Sequence, residues 1–129
     1  MNHPEPIARW HAYVQNNDPA LLDAMLAEDA VFMSPAVHSP QKGRAITAKY
    51  LRAAMTVLNN GSFRYANQWF GENSAVLEFE VEVDGLQVNG VDIIGWNEAG
   101  IITTFKVMIR PYKALNAVIG HMAKQLQVA

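Results

Sequence analysis

The sequence predicts an α+β domain in which a curved antiparallel sheet packs against three N-terminal helices and one C-terminal helix. Three observations predict it. Apolar residues recur at helical spacing up to about Leu58, give way to alternation between Phe63 and Ile109, and return to helical spacing after Pro111. The 129 residues, half of them apolar and 17% charged, suit one globular domain with a full core, so 1–129 is read as a single unit.

Helix one is carried by Ile7, Trp10 and Val14. Asp18-Pro19 supplies an N-cap and a first-turn proline for a second helix, with Leu21, Leu22, Met25 and Leu26 as its apolar face. Ala30 to Met33 reads as a short strand that Ser34-Pro35 ends, and a loop from Ala36 to Lys42 carries His38. Helix three runs from about Arg44 to Leu58, turning Ile46, Tyr50, Leu51, Met55 and Leu58 inward, and Asn59-Asn60-Gly61 stops it. Strands follow at Phe63 to Phe70, Ser74 to Val83, Leu86 to Trp96 and Ile101 to Ile109. The turns Gly71-Glu72-Asn73, Asp84-Gly85 and Asn97 to Gly100 join them as consecutive hairpins. Pro111 opens the last helix, whose stripe is Leu115, Val118, Ile119, Met122 and Leu126.

Alternation assigns the faces of the strands. Leu77, Phe79, Val81 and Val83 form an apolar face for the helices to cover, opposite Glu78, Glu80 and Glu82. Phe105, Val107 and Ile109 likewise oppose Lys106 and Arg110, which puts the acidic row and the basic pair on one outer face. The strand from Leu86 to Trp96 is apolar at both parities and therefore central. Its one charge, Asp92, needs an explanation, because an ionised carboxylate in apolar surroundings is costly unless paired, and its usual relief is a raised pKa. Asp92 either shares the inward set of Val88, Gly90, Ile94 and Trp96, or faces outward and pairs with Lys106 or Arg110.

Composition excludes several classes of function. A net charge of -2, a pI near 6.0 and singly scattered Lys and Arg leave no basic patch for nucleic acid. No apolar run reaches the roughly 20 residues of a membrane span, and no signal-peptide pattern opens the chain, so a cytoplasmic protein without membrane partners is expected. The absence of cysteine removes disulfides and thiolate chemistry. The glycines form no phosphate loop, and His3, His11 and His121 show no metal-ligand spacing, so neither cofactor nor metal is expected.

The order of elements, with Arg9-Trp10, Asp18, the run Ala27 to Pro35, Gly43 and above all Val91-Asp92 to Gly100, resembles the nuclear transport factor 2-like superfamily. Within it the pattern is similar to the ketosteroid isomerase and SnoaL-like polyketide cyclase branch. That resemblance implies a cone-shaped domain holding a hydrophobic ligand between helices and sheet, and a common habit of dimerising. In the isomerases a carboxylate base works with an oxyanion hole built from a Tyr and a protonated Asp. Carried over, the protonated Asp falls on Asp92, the base position on Ser34 and the Tyr position on Trp10, with Tyr13 nearby if helix one shifts by almost a turn. Ketosteroid isomerase activity then lacks its base, since an unassisted hydroxyl cannot replace a carboxylate. The Asp-Arg-Asp set of the limonene epoxide hydrolase branch is also missing, because its second acid would fall near Val107.

If Asp92 faces the cavity, Trp96, Phe79, Phe105 and Val107 line the same wall, and Trp10, Tyr13 and Tyr50 contribute from the helices. Such a pocket suits a small hydrophobic or aromatic molecule with one carbonyl or hydroxyl. The expected function is binding such a molecule, with isomerase, cyclase or dehydratase chemistry in which Asp92 donates a hydrogen bond and His38, at the cavity mouth, or a water moves the proton. Ser34 is a lesser catalytic candidate. The alternative is a non-catalytic ligand-binding or dimerisation module of the same fold. The glutamate row is a polar sheet face or the surface met by a second subunit, so a homodimer is expected.

Overall fold

A computed structural model describes residues 3–128. The elements run α1 (Glu5–Asn16), α2 (Pro19–Met25), β1 (Leu26–Met33), β2 (Gln41–Lys42), α3 (Arg44–Leu58), β3 (Arg64–Phe70), β4 (Ser74–Val83), β5 (Leu86–Trp96), β6 (Ile102–Arg110) and α4 (Tyr112–Val128). The six strands form one curved, open sheet in the order β2-β1-β6-β5-β4-β3. Short hairpin turns join β3, β4, β5 and β6, and each successive pair is antiparallel. The sheet is nevertheless mixed, because β6, at the end of the meander that follows α3, lies beside β1 in parallel.

Local chemistry fixes the helix ends. Asp18 caps α2 by accepting from the Ala20 N–H at 3.0 Å, and Asn17 closes α1 in the left-handed conformation. Gly43, at φ 117°, turns the chain into α3, and the Gly43 N–H donates to the Ala30 carbonyl at 2.7 Å. Buried Thr47 donates its hydroxyl to the same carbonyl at 3.2 Å, so α3 is anchored to β1 at its first turn.

Two elements depart from the sequence reading. β1 begins at Leu26, four residues earlier than the expected start at Ala30, and Leu26 pairs with Ile102 of β6 instead of extending α2. Sheet pairing there overrides a stretch whose residues also suit a helix. β2 lies inside the expected loop from Ala36 to Lys42, and its two residues pair with Val31 and Phe32. Two residues are too few to show alternation.

The covered face of the sheet carries the core. Leu77, Phe79 and Val81 of β4, Val88 and Ile94 of β5, and Phe105 of β6 are buried under Trp10 and Tyr13 of α1 and the inner face of α3. At Gly90 a Cβ would meet Phe79 Cζ at 2.5 Å and the Met108 carbonyl at 2.6 Å, so only glycine lets the Phe79 ring lie against β5 two residues before Asp92. The opposite face bears Glu78, Asn89 and Arg110, joined by hydrogen bonds from Asn89 to Glu78 at 3.0 Å and from Arg110 to Asn89 at 3.3 Å. The inward set of β5 is therefore Val88, Gly90, Asp92 and Ile94, and Asp92 pairs with neither Lys106 nor Arg110.

Candidate functional site

Asp92 sits in the middle of the covered face, between Leu77 of β4 and Val107 of β6, and is only 4% exposed. The Tyr65 hydroxyl donates to its Oδ2 at 2.6 Å, and the Trp10 indole N–H donates to the Tyr65 oxygen at 2.7 Å. The three side chains form one directed chain that starts on α1 and ends on the acid. Among the described residues no donor reaches Oδ1, and that oxygen is not sealed off, so it is the one left for a ligand.

Tyr65 reaches this position because β3 is bulged. Tyr65 pairs with Phe79 and Asn67 with Glu78, so Ala66 is an extra residue that puts Tyr65 on the covered face and Asn67 on the outer one. The break in alternation also hides Tyr65 in the sequence. Its shared parity with Phe63, which stacks on Phe79 with ring centroids 5.3 Å apart, is the signal that points to it.

Burial pushes the Asp92 carboxyl up from 3.8 to about 7, and the Tyr65 hydrogen bond partly opposes the rise. Burial also holds the Tyr65 hydroxyl well above 10.0, reinforced by the charge of Asp92 and by the bond to it, so Tyr65 stays a neutral donor. His11 packs edge-on against Tyr65 with ring centroids 5.2 Å apart, and its Nε2 meets Gln68 Oε1 at 2.9 Å. Burial, more than the repulsion of His3, lowers its pKa below 6.5, while the Gln68 bond opposes that shift, so this aromatic neighbour adds no cation beside the acid at neutral pH.

Two cavities meet at the site. Beside Asp92 is a void of about 20 Å³ lined by Trp10, Phe63, Phe79 and Phe105, with room for about one water molecule. A larger apolar cavity of about 200 Å³ lies between α3, α4 and the end of β1, lined by Phe32, Tyr50, Val118, Met122 and Leu126. Ala54, Leu58 and Val107 line both, so these three side chains separate the acid from the larger space.

The residues expected at the site fall into three groups. Asp92, Trp10, Phe79, Phe105 and Val107 line the small void, and Tyr50 lines the larger cavity with Val107. Ser34 borders the larger cavity, but its hydroxyl accepts from the Ala36 N–H at 2.9 Å within a turn. His38 is exposed at an outer depression, across the Ser34–Val37 turn from the acid. Tyr13 is buried in the core beside Trp10, where burial raises its pKa and Arg52 and Asp23 supply its electrostatic neighbours; neither it nor Trp96 lines the two cavities. Among the described residues no three His, Asp or Glu side chains gather as a metal-ligand set.

This arrangement of helices and curved sheet is the nuclear transport factor 2-like fold. A family model for the SnoaL-like domain matches residues 7–105, and the chain belongs to that family. A steroid delta-isomerase from Pseudomonas aeruginosa is 32% identical, with a TM-score of 0.90 over 96% of this chain and 90% of that one. An uncharacterized protein with a cystatin-like fold from Silicibacter pomeroyi is 34% identical, with a TM-score of 0.87 over 97% of this chain and 87% of that one. An epoxide hydrolase/cyclase-like enzyme of salinomycin pyran-ring formation shares the fold at 20% identity and a TM-score of 0.66, covering 82% of this chain and 88% of that one. No functionally curated protein matches the chain significantly.

The raised pKa makes a stability prediction. The folded protein holds the Asp92 proton more tightly than the unfolded chain, so this contribution is fully present below pH 3.8 and is lost as pH rises to about 7. The interval corresponds to a loss on the order of 4 kcal/mol. Urea denaturation across this range should show Asp92→Asn gaining stability relative to the parent as pH rises, then holding a constant lead above about pH 7. A difference that does not change with pH would contradict the raised pKa.

Proposed function

We propose that the protein binds a small, largely apolar molecule in the larger cavity and offers it the Oδ1 hydrogen of protonated Asp92. The observation that carries this reading is the arrangement of the carboxyl itself: one oxygen held by Tyr65, the other turned to a void among aromatic rings, with a pKa of about 7. An acid poised at working pH has both proton forms populated and suits general acid–base catalysis. Asp92 donates to a carbonyl or leaving hydroxyl oxygen. The carboxylate left behind is then the nearest base for a substrate C–H, which returns the proton to Oδ1. Isomerase, cyclase or dehydratase chemistry of this kind needs no second acid. Likeness to the steroid delta-isomerase supports this class of reaction, while Ser34 in place of a base argues against steroid isomerisation itself. Reaching Asp92 requires the ligand's polar end to pass between Leu58 and Val107.

A binding module without catalysis is favoured by one observation: Ser34 is engaged in its turn and His38 faces outward, so neither serves as a separate base. Exchange of the α-hydrogens of bound phenylbutanone in heavy water separates the two readings. We expect the parent to exchange them at least about a hundredfold faster than Asp92→Asn. Equal exchange with retained binding would favour the module.

The sheet's uncovered face supports a homodimer. Trp69 is 55% and Met108 52% exposed, and Val76, Val91 and Ile93 lie between them, bordered by the Glu78–Asn89–Arg110 network. A mainly apolar centre with a polar, self-complementary rim suits a second copy. Sedimentation at micromolar concentration should give a dimer for the parent and a monomer for Met108→Glu; a monomeric parent would refute the proposal.

A further inference from the structure

When Asp92 is neutral, its contact with Tyr65 can run in either direction. Either the Tyr65 hydroxyl donates to Oδ2 and the acid's own proton sits on Oδ1, or the acid donates from Oδ2 to the phenol oxygen. A carboxylic acid is a far stronger donor than a phenol, so an isolated pair would adopt the second arrangement. Trp10 reverses that preference.

The indole N–H donates and cannot accept, and it already presents its hydrogen to the Tyr65 oxygen at 2.7 Å. Among the described residues Trp10 and Asp92 are the hydrogen-bond partners of the Tyr65 hydroxyl, because the neighbouring His11 is engaged through Nε2 with Gln68. With the indole in place the hydroxyl hydrogen has one acceptor, Asp92 Oδ2. Turned the other way, it would be a desolvated donor facing another donor. The acid's proton on Oδ1, by contrast, faces a void with room for about one water molecule. Trp10 is 1% exposed and packs on Phe105 with ring centroids 4.8 Å apart, so its N–H stays aimed at Tyr65.

We propose that Trp10 is a positioning residue that, through Tyr65, holds the proton of neutral Asp92 on Oδ1 and so keeps the acid a donor toward the void. The consequence for a ligand rests on the function proposed above: the atom it presents to Asp92 is a hydrogen-bond acceptor, such as a ketone oxygen. Without the indole N–H, the Tyr65 hydrogen can rotate into the vacated direction. The acid then donates to the phenol, and its carbonyl oxygen faces the void.

Infrared spectroscopy of the ligand-free protein with carbon-13-labelled aspartate, at about pH 6, tests the inference. In the parent the carbonyl oxygen is Oδ2, whose band is lowered by the Tyr65 hydrogen bond. In Trp10→Phe the band should move to higher frequency, toward its place in Tyr65→Phe, and persist at a pH where the parent's band has gone. Benzothienylalanine at position 10 keeps the shape of the indole, has sulfur in place of the N–H, and should give the same shift. It separates the hydrogen bond from packing and carries the test if Trp10→Phe does not fold. A band at the parent frequency in the isostere would overturn the inference. Exchange of phenylbutanone α-hydrogens should be about tenfold slower in the shifted variants. A shifted band with parental exchange would leave the part played by Trp10 standing and contradict the donor function of Asp92.

Discussion

The fold is arranged around keeping one carboxyl inside an apolar sheet. Asp92 lies on the same face as Leu77, Ile94 and Phe105, and an ionised group there loses most of its hydration. Tyr65 returns one strong hydrogen bond, which is enough to hold the side chain in a single orientation but not enough to cancel burial, and the pKa settles at about 7. Removing the partner while keeping the charge would leave a buried group unsatisfied. Removing the charge would relieve the core.

Several otherwise unrelated features serve that contact. The bulge at Ala66 aims Tyr65 inward, Trp10 fixes the Tyr65 oxygen from α1, and Gly90 lets the Phe79 ring close over the strand beside the acid. The lower half of α4 is only half-buried at Ile119, Met122 and Leu126 because those side chains face the cavity and not a packed core. Leu58 and Val107 stand between the two spaces, so their side chains separate Asp92 from the larger cavity.

Much of this was legible in the residues. Alternation in β4 gave its bounds and faces, and the pattern of β5 gave its bounds but, being apolar at both parities, left open whether the odd carboxylate in Val88 to Trp96 faces the helices. Three features were not readable, each for a physical reason. Leu26 suits either a helix face or a strand, and only pairing with Ile102 decides between them. β2 exists only because β1 offers it an edge. Tyr65 was missed because a single extra residue inverts parity along β3, and resemblance directed attention to Trp10, which touches the acid only through Tyr65.

The central claim is that Asp92 is a buried acid held by Tyr65 and titrating near neutrality, and infrared spectroscopy of the protein with carbon-13-labelled aspartate tests it most directly. A protonated carboxyl band should be present at about pH 6, disappear by about pH 8, be absent from Asp92→Asn, and shift in frequency in Tyr65→Phe. A parent protein showing only ionised aspartate at about pH 6 would contradict the account.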